Sequence, residues 1–176
     1  MDKQQIIEQL RMHHSEFGHL LTKLSSSDYL FAPEHKWNAG QHLEHICKSV
    51  TPVKLAFTLP GFLLRILFGK ANRPSRDYAY LIEKYQAKLA AGGRATGQFI
   101  PGAARYEQRD QLLRKLNDLV EGLCRKVAST SDYQLDTLIL PHPLLGKLTL
   151  REMLYFTIYH VQHHQAAVLR GLPSTN

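Results

Sequence analysis

The chain has 176 residues, 44% of them hydrophobic and 21% charged, a balance that excludes a disordered or collagen-like polymer. It suits one domain, residues 1–176, with a sizeable core. The formal charge is +7, but Lys and Arg are spread along the chain without a run, so the surplus reads as a solvated basic surface and nucleic-acid binding ranks last.

The first residues lack the basic-then-apolar order of a signal peptide, and two cysteines, Cys47 and Cys124, make no disulfide framework. A reducing cytoplasm is the expected compartment.

In chain order, Ile7, Leu10, His14, Phe17, Leu21 and Leu24 alternate three- and four-residue steps, which predicts a first helix from Asp2 to Leu24. The seam is too short for a long coiled coil and fits a helix of a bundle. Ser25 to Lys36 reads as a loop. Asn38 and Gln41 are spaced as a capping box, so a second helix starts there and carries His42, Leu43, His45, Ile46 and Val50, with Pro52 ending or kinking it.

Val53 to Gly69 is apolar, but Pro60-Gly61, Lys54 and Arg65 interrupt it, which argues against a membrane span. It reads as a lid, a dimer face, a membrane-surface element or a buried extension of the second helix. A short helix is expected from Arg76 to Ala91, with Tyr78, Leu81, Ile82, Tyr85 and Leu89 inward, then a loop from Gly92 to Ala104. Leu112, Leu116, Leu119, Leu123 and Val127 predict a helix from Tyr106 to Ala128. Ser129 to Leu148 is a connection whose LDTLIL run reads as extended. The last helix opens on a Thr149–Glu152 capping box and stops at Gly171 and Pro173. Four long helices with an elaborated middle predict an all-α four-helix bundle.

Ten histidines stand out. His160 and His164 are four residues apart on the last helix, on the same face as Met153, Thr157, Val161, Ala167 and Val168. Two imidazoles in an apolar stripe need partners, and a shared cation satisfies both. His163 points off the stripe. The run His160-Val161-Gln162-His163-His164 lacks the glutamate of a zinc protease helix. Carboxylate-bridged di-iron bundles need Glu-x-x-His on two helices, and only Glu16 to His19 matches, with Glu16 directed away from the seam. A third ligand must come from another helix. His42 lies nearer the apolar stripe of the second helix than His45 does, and His14 lies on the seam of the first, so spacing leaves the three open.

Trp37, Gln41 and His45 form W-x-x-x-Q-x-x-x-H, and YHVQHHQAAVLRGLP carries H-x-x-x-H. Together with the HP-x-x-G-K-L-T stretch from His142 to Thr149, these residues resemble the DinB-like, YfiT-type superfamily of metal-binding four-helix bundles. The resemblance is strong at both ends and weak from Val53 to Ala104. It implies His45, His160 and His164 as ligands of one divalent metal ion; if the helical wheel decides instead, His42 replaces His45, with Trp37 a packing anchor and Gln41 the cap partner.

Three neutral imidazoles accept nickel, zinc or ferrous iron and leave the ion its full charge and an open position. Relatives of this kind resemble thiol-dependent transferases, in which the metal activates a low-molecular-weight thiol cosubstrate, and others have been regarded as metal-dependent hydrolases. Catalytic and cosubstrate-binding residues stay unassigned. Lys48, Arg65 and Arg73 are candidates to meet an anionic thiol, Phe57 to Phe68 could shelter an apolar electrophile, and Cys47 reads as a core cysteine. Competing readings are a non-catalytic metal-binding bundle and a membrane-surface or partner-binding protein acting through Val53 to Gly69. A homodimer would cover that apolar segment.

Overall fold

A computed structural model describes residues 1–173, and the chain in it is mostly helical. Helix α1 (Lys3–Thr22) starts at Asp2, whose side chain accepts from the Gln5 amide while Gln5 reaches back to the Asp2 amide. Its buried residues follow the expected seam. The helix ends at Thr22 rather than Leu24, although Leu24 remains buried. The expected loop from Ser25 to Lys36 contains a short helix, α2 (Ser26–Leu30). Ser25 caps it through the Asp28 amide, and Tyr29 is fully buried, so the serine run is a helix start rather than a plain loop.

Helix α3 (Ala39–Ala56) opens on the expected capping box of Asn38 and Gln41. Pro52 does not end it. The helix runs another turn to Ala56, then the chain bends by 110° into α4 (Gly61–Phe68). The apolar segment is therefore divided: Val53, Ala56, Phe57 and Leu64 are buried, whereas Leu55, Phe62, Ile66 and Leu67 are exposed. Among the described residues, no single helix is long and apolar enough to cross a membrane.

Helix α5 (Tyr78–Ala90), capped by Asp77, buries Leu81 and Tyr85. The following connection carries 3-10 turns at Gly97–Phe99 and Tyr106–Gln108, and the latter leads into α6 (Arg109–Ser129). The connection from Ser129 is more structured than expected. It holds a one-turn helix, α7 (Asp132–Thr137), and an antiparallel hairpin of β1 (Ile139–His142) and β2 (Gly146–Thr149). The LDTLIL run is split, helical through Thr137 and extended from Ile139. Gly146, at φ 77, takes the left-handed conformation that closes the hairpin. Helix α8 (Leu150–Gly171) starts at the predicted Thr149–Glu152 capping box.

The four long helices close a ring: α1 packs on α6 and α8, and α3 packs on the same two. This is the four-helix bundle expected from the sequence. Phe17, Leu43, Leu123 and Ile158, one from each helix, are completely enclosed, and each contributes roughly 2 kcal/mol by leaving water. The start of α8 is fixed by Glu152, which is fully buried and accepts from the Thr149 and Arg76 amides and from Arg73.

Candidate metal centre

The centre lies between α3 and α8, and one face of α3 explains its shape. Gln41, Glu44, His45 and Lys48 recur at helical spacing and tie down the loop that follows α5. Gln41 Nε2 donates to the Gly102 oxygen (3.3 Å) and Glu44 accepts from the Gly102 amide (2.8 Å). His45 Nδ1 lies 2.7 Å from the Phe99 oxygen, and Lys48 Nζ donates to the Ile100 oxygen at 2.8 Å. Gly40 permits this closeness, because a Cβ there would stand 2.6 Å from the Ala104 Cβ and 2.7 Å from the Tyr29 ring. The loop therefore covers His45, which is only 5% exposed although it sits at the edge of the apolar stripe.

His160 and His164 meet His45 from α8. His45 Nε2 lies 3.2 Å from His160 Nε2, and His164 Nε2 lies 3.0 Å from the same atom. All three rings are buried. Carbonyl oxygens only accept, so the contact with Phe99 places the His45 proton on Nδ1 and leaves Nε2 a bare lone pair. Burial depresses the basicity of all three imidazoles, and neighbouring histidines depress it further at His160 and His164, so none carries a positive charge near neutral pH. One proton on His160 Nε2 cannot serve both of its neighbours well, and a shared cation can. Two nitrogens at zinc-ligand distance from one tetrahedral ion stand about 3.4 Å apart, close to the spacings found. The three residues could thus hold a divalent metal ion.

The remaining candidates fall elsewhere. His42 is also buried, and its Nδ1 lies 2.7 Å from His164 Nδ1, on the side of that ring away from the cluster. It touches a member of the cluster and is not in it. His14 is enclosed in the bundle. Its Nδ1 donates to the Leu10 oxygen at 2.7 Å, and its Nε2 has no partner among the described residues. His163 is half-buried beside the cluster. Trp37 packs over the imidazoles, 5.0 Å from the His45 ring and nearly parallel to His164 at 6.1 Å, and Phe156 stacks on His160 at 4.7 Å.

The three histidines stand in the wall of a cavity of about 1280 Å³. Its apolar lining includes Val53, Ala56, Leu59, Phe68, Met153 and Phe156. Sequence reasoning passed over His142, which also lines it. His142 Nδ1 accepts from the Leu144 and Leu145 amides, so its proton sits on Nε2, and burial lowers its pKa to about 4. The His-Pro at the head of the hairpin was the available signal. The basic residues singled out for an anionic thiol are not in the lining. Arg73 is engaged by Glu152 and Lys48 by Glu44, while Arg65 lies on the exposed side of α4. Lys36, Arg94 and Arg170 line the cavity instead. Neither cysteine does. Burial pushes the Cys47 thiol up to about 12 and the Cys124 thiol to about 11.

Against known families, the model described as the DinB superfamily matches residues 9–168. No curated protein matches the chain.

Proposed function

The chain belongs to the DinB superfamily, and from that premise we propose that it is a metal-dependent transferase joining a small thiol to a small electrophile, with His45, His160 and His164 holding the cation. The observation that carries this reading is the convergence of three neutral Nε2 atoms in the wall of a large, mostly apolar cavity. When bound, the cation would supply a full positive charge that keeps a cosubstrate thiol deprotonated at neutral pH.

The protein's own residues do the rest. The Phe99 oxygen fixes the tautomer and orientation of His45, and Phe156 holds the His160 ring from its face. The apolar wall excludes water from the bound electrophile. His142 Nε2–H is free to donate a hydrogen bond to an oxygen or leaving group there, because its other nitrogen is fixed as an acceptor. Both cysteines are buried with raised pKa values, which supports an external source for the thiol. The cavity exceeds the usual span of roughly 300–1,000 Å³ for one small ligand, which favours two substrates together.

A second reading is metal-dependent hydrolysis, with water in place of the thiol. His163, half-buried in the same lining, favours it as a group that could take the water's proton.

Metal analysis of untagged protein by mass spectrometry, followed by turnover of 1-chloro-2,4-dinitrobenzene with low-molecular-weight thiols, tests both readings. We expect about one equivalent of divalent metal, its loss in His45→Ala and His160→Ala, and a rate that needs both metal and thiol. A metal-dependent rate on esters without thiol would favour the hydrolase. Protein that cannot be loaded with zinc or nickel would overturn both.

A further inference from the structure

The charge pattern of the cavity is one-sided. Its lining includes Lys36, Arg94 and Arg170 but no aspartate or glutamate among the described residues. None of these three cations forms an ion pair among the described residues. Four arginines outside the cavity do: Arg11 with Glu121, Arg73 with Glu152, Arg109 with Asp110, and Arg151 with Asp132 and Asp136. Arg65, Arg76, Arg105, Arg114 and Arg125 form none among the described residues, so the three cations are distinguished by where they stand rather than by being unpaired. Much of the remaining lining is aliphatic or aromatic. It includes Leu55, which is 61% exposed.

A solvated basic rim alone would carry no argument, because unpaired exposed cations are common. The combination is more specific: a large apolar volume with three cations in its lining and, among the described residues, no carboxylate in that lining, although the exposed Glu34 pairs with the lining residue His35. A neutral apolar ligand would leave the cations unused. A small inorganic anion would leave the apolar volume unfilled. A cationic ligand would meet like charge at the rim and no opposite charge in the lining.

We infer that this cavity binds an amphipathic organic anion, an apolar body of several carbons ending in one carboxylate-like group, with the anionic end held among Arg94, Arg170 and Lys36. The inference deepens the transferase reading and rests on it for the chemistry, though not for the binding. It narrows the electrophile to acidic, hydrophobic molecules.

Trp37, the only tryptophan, lines the cavity, so its fluorescence reports filling. Metal-free protein is titrated with octanoate, octanol, octyltrimethylammonium and acetate. The expected result is saturable one-to-one binding of octanoate, at least about tenfold tighter than octanol, which corresponds to one charge-assisted contact. The ammonium and acetate should not bind in the same range. Arg94→Gln with Arg170→Gln, two exposed positions, should reduce octanoate to the level of octanol.

Equal binding of octanol and octanoate, or a double variant that still prefers octanoate, would overturn the inference. Acetate as tight as octanoate would overturn it in favour of a plain anion site. Because the titration uses no metal, a failure of metal loading would strike the proposed function alone, and a loss of anion selectivity would strike this inference alone.

Discussion

His45 Nδ1 lies 2.7 Å from the backbone oxygen of Phe99, a residue 54 positions later in the chain. The contact ties the loop between α5 and α6 to a candidate ligand, and it couples the two ends of one imidazole. A cation drawing electron density from Nε2 makes the Nδ1 proton a better donor, so the bond to Phe99 should strengthen on metal binding. Amide hydrogen exchange at residues 97–102 should therefore slow when metal is added. In His45→Ala the same amides should exchange faster than in wild type and show no response to metal. Unchanged exchange in wild type on loading would separate the loop from the centre.

His42 gives a contrasting expectation. It touches His164 Nδ1 at 2.7 Å while the cluster side of His164 is Nε2. If His164 binds through Nε2, its Nδ1 carries the proton and donates to His42, which fixes the ring. His42→Ala should then keep metal stoichiometry at about one but weaken affinity roughly 10- to 100-fold, in a competition titration against a chromophoric chelator. His160→Ala should abolish stoichiometric binding. Complete loss of metal in His42→Ala with a normal circular dichroism spectrum would make His42 a ligand in its own right.

These two positions also show how much the residues themselves disclosed. Capping boxes at Asn38 and Thr149 and the seam of α1 made the bundle legible, because caps and heptad spacing are local signals. The pair on α8 was legible for the same reason. The choice between His42 and His45 was not, because a helical wheel treats the uncovered side of a helix as solvent. Here that side is covered by residues 97–102, held through Gln41, Glu44 and Lys48. Helix α7 did carry a local signal, the Ser131–Gln134 capping box, which was passed over, and the first strand was read in part from LDTLIL, whereas the second strand escaped because its place is set by bonds to distant residues such as Ser75 to Thr149. The cavity is assembled from many separate stretches of chain, and its cations, Lys36, Arg94 and Arg170, belong to no common motif.

His14 should make the metal-free protein acid-sensitive. Burial holds its pKa at about 4 against an ordinary 6.5, so between these values the unfolded chain binds a proton that the folded chain does not. Stability from this group is intact above pH 6.5, falls as pH drops towards 4, and is level below that. The interval corresponds to about 3 kcal/mol. Its Nε2 is also a buried acceptor with no partner among the described residues. His14→Leu should therefore flatten the pH dependence of the urea midpoint between pH 7 and 4. It should leave stability at pH 7 unchanged or raise it by about 1 kcal/mol. A variant with the wild-type pH slope would assign the acid sensitivity to other groups, among them His42 and His142, whose pKa values also fall to about 4.

Glu152 separates folding from metal binding. Burial alone would raise the pKa of its carboxyl, but Arg73 and the amides of Arg76 and Thr149 outweigh that and hold it below the usual range. The side chain is fully buried, caps α8, and pins the segment before α5 to the bundle. Glu152→Ala would leave Arg73 without its partner and two amides unsatisfied. Since Arg73 is one-third exposed and can rehydrate, the cost should be about 3 kcal/mol, towards the low end for breaking a buried pair. Glu152→Gln keeps an acceptor for the cap and should lose less. Both variants should bind as much metal as wild type under conditions where they remain folded, because His160 and His164 lie two and three turns further along α8. Urea unfolding checks the first expectation and metal analysis the second. A folded Glu152→Gln protein without metal would mean that the α8 cap sets the geometry of the centre as well as the stability of the helix.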